Sequence, residues 1–397
     1  MQSSTVRISK SLRRTLRTCL QETRRGYAAE RQPIQEIDFR SDTVTRPTPA
    51  MREAMSNAIV GDDVFEDDPT VIQLQNHCAS LLGKEAALFT PSGVMANQIA
   101  LGCHGQHPGT ATICGTQSHI YCYETGGASQ LWGITLDTIE NERNGQLSIE
   151  KLRDKIRPLD VHCPITTCIA LEQTQNKCGG TTLGDSLEEV EMYMVSVGNL
   201  CKQHGLAFHV DGARLLNAAV ALGAEPAQLV KECDTVSLCL SKGVGAPVGS
   251  VLAGSRALIR EAKRLRKLLG GGMRQSGILC AGAMVGLADY KETFTKDHTH
   301  AKRLAEALNE LSGFHVEKEL VQTNLVFCNI EKERVDAGRL KDYLSLSNIV
   351  IADDKFGGKH PSNQSVRFAL HRGINGDDLE YAIHKIRMAV LEVGPSW

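Results

Sequence analysis

Asp211, Arg214 and Lys242 are the residues whose types and spacing most directly suggest chemistry. Two short apolar runs lead to them: Leu206 to Val210 ends at Asp211, and Val236 to Leu240 ends at Ser241 and Lys242. A lysine that closes a buried run, with Gly243, Gly245 and Gly249 behind it and no charged neighbour nearby in sequence, is suited to lose its proton and act as a Schiff-base nucleophile. Alone, it would read as a strand-end lysine reaching for solvent. Asp211 and Arg214 change that reading. An acid to keep a pyridine nitrogen protonated, a basic group for a ring hydroxyl and an amine to form an imine make a working set.

The elements that must position this set follow from the pattern. The two runs read as strands separated by a helix from about Leu215 to Leu222 and a second helix-sized stretch ending near Glu232. That is a βαβ unit, so the strands should be parallel and joined right-handedly. Ligands of an open parallel sheet sit beyond the carboxyl ends of its strands, which brings Asp211 and Lys242 to one rim. Other segments point to the same rim. A strand at Ala86 to Phe89 runs through Thr90, Pro91, Ser92 and Gly93 into a helix from Val94 to Leu101, and a helix start among small residues is a site for phosphate. Strands at Thr112 to Cys114 and Thr167 to Glu172 flank His119 and Tyr123, and Asp185 to His204 is a helix ended by Gly205. Arg256 to Leu269 is an amphipathic helix with a basic face, and the following Gly270, Gly271 and Gly272 mark close backbone approach. The acidic stretch from Gly61 to Pro69 lacks the oxygen spacing of a calcium loop and reads as turns and caps. The tail changes rhythm, with strands near Val321 to Ile330, Ile349 to Ala352 and Ser365 to Leu370 and helices at Ala337 to Leu346 and Asp377 to Val393. This predicts a small α+β domain closing over the rim, with Arg367 in mid-strand as a fork able to grip a carboxylate.

A chain of 397 residues with 42% apolar content is expected to form two domains, and a net charge of −2 gives no reason to propose nucleic acid or a membrane as partner. The 13 cysteines are scattered without a C-x-x-C, which favours reduced core thiols over a metal site. No run reaches the roughly 18 apolar residues of a membrane span. Residues 1–32 stand apart: they carry Arg7, Lys10, Arg13, Arg14, Arg17, Arg24 and Arg25, their first acid is Glu22, and Ile8, Leu12, Leu16 and Leu20 form a stripe. This is the composition of a mitochondrial transit peptide, with an attached disordered arm as the alternative.

The motifs HVDGAR, CLSKGVGAPVGS and LGGGMRQSG, with FRSDTVTRPT, VGDDVFEDDPT, GKEAALFTPSG and VRFALH, resemble those of the low-specificity L-threonine aldolases, and the likeness runs from about Asp38 to Ala389. The resemblance implies a fold type I pyridoxal 5'-phosphate enzyme: a three-layer α/β large domain with a mostly parallel sheet (37–290) and a small C-terminal α+β domain (291–397). It implies that Lys242 holds the cofactor, that Asp211 and Arg214 serve its ring, and that Ser92, Gly93 and Val94 bind its phosphate. His119 would stack on the ring, Tyr123 would wall the pocket, and Ser41 and Arg367 would bind the substrate carboxylate. His162 would lie near the substrate hydroxyl, so either histidine could take the hydroxyl proton. Lys267 and Arg274 would reach the phosphate of a neighbouring subunit, implying a homo-oligomer, dimer or tetramer, with shared sites. The chain departs from the family pattern at Phe65-Glu66, where Tyr-Gly is usual, at Gln173 and Gln175 in a loop expected at the rim, and at Val94, where threonine is common. The implied reaction is retro-aldol cleavage of a β-hydroxy-α-amino acid, L-threonine or L-allo-threonine, to glycine and acetaldehyde. The alternatives are β-elimination or transamination on the same scaffold, or a silent relative acting as a binding partner. The mitochondrial matrix is the expected location, with the cytoplasm as the alternative.

Overall fold

The computed structural model describes residues 36–353 and 363–393, so the basic segment 1–32 lies outside the described residues. After a two-residue strand β1 (Ile37–Asp38) the chain builds a central sheet from β2 (Ala86–Thr90), β3 (Thr110–Gly115), β4 (Thr135–Ile139), β5 (Ile165–Glu172), β6 (Ala207–Gly212), β7 (Thr235–Cys239) and β8 (Ser250–Gly254). Its order is β2-β8-β7-β6-β5-β3-β4. The five strands from β7 to β4 run parallel, and β8 is antiparallel to both of its neighbours. β7 and β8 are buried along their whole length, as strands covered by helices on both faces must be. The expected βαβ unit is present: Asp211 stands opposite Ser237 in a parallel register, and the helix Leu215–Leu222 has the predicted bounds. The stretch after it is shorter than predicted, a single turn at Pro226–Leu229.

The helix Gly93–Gly105 packs against the sheet, with Ser92 capping it by accepting the Met95 N–H at 3.1 Å. Leu187–His204 ends at Gly205 in the left-handed conformation, as its sequence suggests. Arg256–Leu268 buries Ile259 and Ala262, but it buries Arg266 as well, which breaks the expected division into apolar and basic faces. The guanidinium of Arg266 donates to Asp63 at 2.5 Å and to the Phe89 carbonyl at 2.6 Å. The glycines after Lys242 let the backbone approach bulky groups: a Cβ on Gly243 would meet the Phe294 ring at 2.8 Å, and one on Gly249 would meet Phe89 at 2.3 Å. Among the described residues every cysteine is free and most are buried, and no helix is long and apolar enough to cross a membrane.

The second domain carries β9 (Phe314–His315), β10 (Leu325–Glu331), β11 (Ile349–Val350), β12 (Ala352–Asp353) and β13 (Asn363–Ala369). Four of these form an antiparallel sheet in the order β12-β13-β10-β9, while β11 pairs in parallel with β1. The boundary therefore differs from the one predicted at the N-terminal end. Ile37 and Phe39 belong to the small domain's core, where Phe39 meets Phe368 edge to face at 5.7 Å. Two such buried apolar side chains each contribute about 2 kcal/mol, enough to draw the first strand across. The helix Tyr290–Asn309 joins the units, with Phe294 in the large core and Leu304 and Leu308 in the small one.

Candidate active site

Asp211 ends β6 almost completely buried. Its Oδ1 accepts the Ala213 N–H at 3.0 Å, and its Oδ2 accepts from Asn97 Nδ2 at 2.8 Å. The same Asn97 nitrogen donates to Glu124 at 2.9 Å, and Glu124 in turn takes a hydrogen bond from His119 Nδ1 at 2.9 Å. Because Nδ1 faces a carboxylate, the other ring nitrogen of His119 is left toward the cleft. Burial opposes a protonated ring there, but the Glu124 hydrogen bond and the Asp211, Glu124 and Glu172 charges outweigh it and raise the His119 pKa. Donor atoms of His119, Glu124 and Asp211 fall within 4.8 Å of one another, the spacing of a cation site. The Asn97 amide stands between the two carboxylates and already supplies the positive ends they need.

A second set meets this one from the other side. Glu172, at the end of β5, is buried and accepts the backbone N–H of His119 at 2.7 Å and of Asn176 at 2.9 Å. Burial and the nearby Asp211 charge push its pKa up. Arg214 forms a two-pronged pair with Asp42, both contacts at 2.7 Å, in full burial. Burial alone would raise the Asp42 carboxyl, but the charge and hydrogen bonds of Arg214, with the charge of Lys242, hold it well below the usual carboxylate range. Asn176 Oδ1 accepts from Arg214 Nη1 at 3.2 Å and from Arg367 Nη1 at 3.3 Å, and Arg367 Nη2 donates to the Arg40 carbonyl at 2.9 Å. Thr45 ties this segment to the lysine loop by donating to the Lys242 carbonyl at 2.8 Å. The result is one cleft of 380 Å³ lined by Ser41, His119, Tyr123, Arg214, Lys242 and Arg367, a volume that suits a small cofactor with its substrate.

The arrangement fits a phosphorylated pyridine aldehyde. It offers an amine in the cleft, a buried carboxylate for a ring nitrogen, an imidazole whose ring can lie over another and a guanidinium for a carboxylate. At the start of the helix Gly93–Gly105 the amides of Gly93 and Val94 have no partner within the helix, and the buried hydroxyl of Ser250 has none either. That hydroxyl lies 3.4 Å from where a Cβ on Gly93 would stand, so the glycine keeps the approach open.

The beta-eliminating lyase family model matches residues 38–331. Low-specificity L-threonine aldolase 1 of Arabidopsis thaliana is 42% identical over 361 residues, covering 90% of this chain and 97% of that one. The chain belongs to the low-specificity L-threonine aldolases. The fold agrees: the structure of a Leishmania major threonine aldolase aligns with a TM-score of 0.72 at 19% identity, covering 89% of this chain and 98% of that one. A structure of SPT with bound pyridoxal phosphate aligns at 0.69 and 15% identity, covering 90% and 88%.

Several family-derived expectations fall elsewhere in this aldolase. His162 is exposed in the loop before β5, at the opposite end of that strand from Glu172, about 23 Å away along the backbone. It does not reach the cleft of its own chain, whereas His119 lines it. Lys267 and Arg274 are exposed outside the cleft, where Arg274 pairs with Asp62 at 3.1 Å. Gln173 and Gln175 are buried rather than on the rim: Gln173 donates to the Thr182 carbonyl at 2.7 Å, and Gln175 Oε1 accepts the Lys177 and Cys178 N–H groups. They brace the loop that carries Asn176. Phe65 is 75% exposed, and Glu66 pairs with Lys263 at 2.5 Å. Lys242 is also less isolated than its sequence neighbours suggest, since the Asp42 carboxylate feels its charge. Asp42, Asn97, Glu124, Glu172 and Asn176 were not singled out from the sequence. A signal existed for two of them: Asp42 lies inside FRSDTVTRPT, and Asn97, with Gln98, is a polar break in a mainly apolar helix.

Proposed function

We propose that this enzyme cleaves L-threonine or L-allo-threonine to glycine and acetaldehyde with pyridoxal 5'-phosphate. The observation that carries the reading is the convergence of Lys242, Arg367 and a Glu124-backed His119 on one cleft above Asp211. When bound, the cofactor supplies an aldehyde for the substrate amine and a ring that takes up the electron pair of the breaking Cα–Cβ bond. Lys242 is the amine that holds the cofactor between turnovers, and Asp211 keeps a proton on its ring nitrogen. Ser92, Gly93 and Val94 would hold the phosphate, with Val94 offering only its N–H. Arg367 and Ser41 bind the α-carboxylate, so that the bond to Cβ is the one held across the ring. His119 accepts the β-hydroxyl proton at its cleft-facing nitrogen, directly or through a water, because its Nδ1 is committed to Glu124. Tyr123, whose ring centroid lies 5.5 Å from that of His119, walls the side-chain end.

A second copy of the chain would supply Lys267 and Arg274 to the phosphate. Exposed apolar residues around them, Phe65 and Leu268 among them, support a homodimer or tetramer with shared sites. Residues 1–32 would direct the enzyme to the mitochondrial matrix, where threonine breakdown would supply glycine. A fusion of that segment to a fluorescent reporter tests this, and cytoplasmic fluorescence would count against it.

The reaction itself is tested with purified protein, cofactor and L-allo-threonine, following acetaldehyde through an NADH-coupled dehydrogenase and glycine by amino-acid analysis. Equal amounts of the two are expected. A keto acid or pyridoxamine without aldehyde would mean elimination or transamination, and no product would leave only a binding role.

A further inference from the structure

The helix Gly93–Gly105 presents two polar residues, Asn97 and His104, to the sheet two turns apart. Facing them are His209 and Asp211 on β6 and Thr235 and Ser237 on β7, each pair two residues apart and therefore on one face. All six are buried. Asn97 uses its full hydrogen-bonding capacity. Its Nδ2 donates to Glu124 at 2.9 Å and Asp211 at 2.8 Å, and its Oδ1 accepts from Ser237 Oγ at 2.7 Å and lies 3.2 Å from His209 Nε2.

This orientation leaves no freedom further along. Carboxylate oxygens are acceptors, so the amide nitrogen faces Glu124 and Asp211 and the carbonyl faces His209. His209 then carries its hydrogen on Nε2, and its Nδ1, 2.9 Å from Thr235 Oγ1, accepts the hydroxyl proton. With its one hydrogen spent, Thr235 can only accept from His104 Nε2 at 2.7 Å. Burial keeps both imidazoles neutral, pushing His104 down to about 4 and His209 to about 3.

We infer that Asn97 is a positioning residue for the cofactor ring: one amide holds Asp211 and the His119-bearing Glu124 in a fixed relation, and the chain His209, Thr235 and His104 locks that amide in place. The network acts as a unit because a flip at any member would set two donors or two acceptors face to face. The inference rests on the proposed binding of pyridoxal phosphate, but its test does not use turnover.

The test combines histidine-labelled 15N NMR of the full chain, with and without pyridoxal phosphate, and fluorescence titration of cofactor binding. In the native protein His104 and His209 should both appear as neutral rings protonated on Nε2. Asn97→Ala should shift His209 toward a tautomer mixture and weaken cofactor binding by about tenfold or more. Thr235→Val keeps the shape of the site and, if Asn97→Ala fails to fold, carries the comparison: it should change the His104 signal and weaken binding by roughly two- to fivefold. An Nδ1-protonated His209 in the native protein would overturn the inference, as would unchanged cofactor affinity in the folded variants. Absence of aldolase turnover with these signals intact would count against the reaction and leave the network standing.

Discussion

Asp42→Asn removes the charge that faces Arg214 while keeping the side chain's shape. The pair is buried and bidentate, with both contacts at 2.7 Å, and Arg214 has one further partner in Asn176 at 3.2 Å. At an effective dielectric near 20 and about 4 Å between charge centres, the lost attraction is about 4 kcal/mol. Breaking one side of a buried pair costs roughly 3–5 kcal/mol, and the retained amide oxygen places the expected loss near about 3 kcal/mol. The assay is urea unfolding of native and variant protein in parallel, without cofactor, across pH. Because the folded Asp42 carboxyl is held below its ordinary value, its contribution is complete above the unfolded pKa and fades only as pH falls toward the folded one. The difference between the proteins should therefore hold steady from about pH 5 to 8 and shrink below about pH 4. The variant should also raise the KM for the amino acid, since Arg214 steadies Asn176, which steadies Arg367. A loss under about 1 kcal/mol, the scale of a solvated pair, would show that Asp42 and Arg214 do not act as a buried pair.

Three other outcomes follow from the same geometry. Arg367→Lys loses the planar fork that meets Asn176 and Arg40, so steady-state kinetics should show KM up by about 10- to 100-fold while cofactor affinity changes little. Glu124→Gln removes the main support of the raised His119 pKa, a stabilisation that is present below the ordinary histidine pKa and lost as pH rises through the folded one. The stability gap between native and Glu124→Gln protein should thus be wider at pH 6 than at pH 9, and a gap independent of pH would show that His119 is not coupled to Glu124. Arg266→Met leaves Asp63 buried without its partner and should cost about 3–5 kcal/mol by urea unfolding; a surface-like cost would contradict the burial of Arg266.

The elements that set the rim were legible because parallel strands buried on both faces leave continuous apolar runs, and Asp211 and Lys242 mark where those runs stop. Arg367 was legible for a similar reason, as a lone cation within a strand. The pairing of Asp42 with Arg214 was not, because the two lie 172 positions apart and nothing local announces it. Arg266 was misleading: in a helix with basic residues on three sides, only the Asp63 loop folding over it decides which one is buried. His162 lies outside the cleft of its own chain for a topological reason, since residues before and after a strand lie at opposite ends of it. Gln173 and Gln175 looked like rim residues because they follow a strand end, yet the loop turns them inward to satisfy its own backbone.

The central claim is that Lys242 is the amine that carries the cofactor. Lys177 lines the same cleft and is the natural competitor. Borohydride reduction of the cofactor-loaded enzyme, followed by proteolysis and peptide mass mapping, decides between them. The added cofactor mass is expected on the peptide containing Lys242, and none in Lys242→Ala. Mass on the Lys177 peptide, or attachment that survives Lys242→Ala, would contradict it.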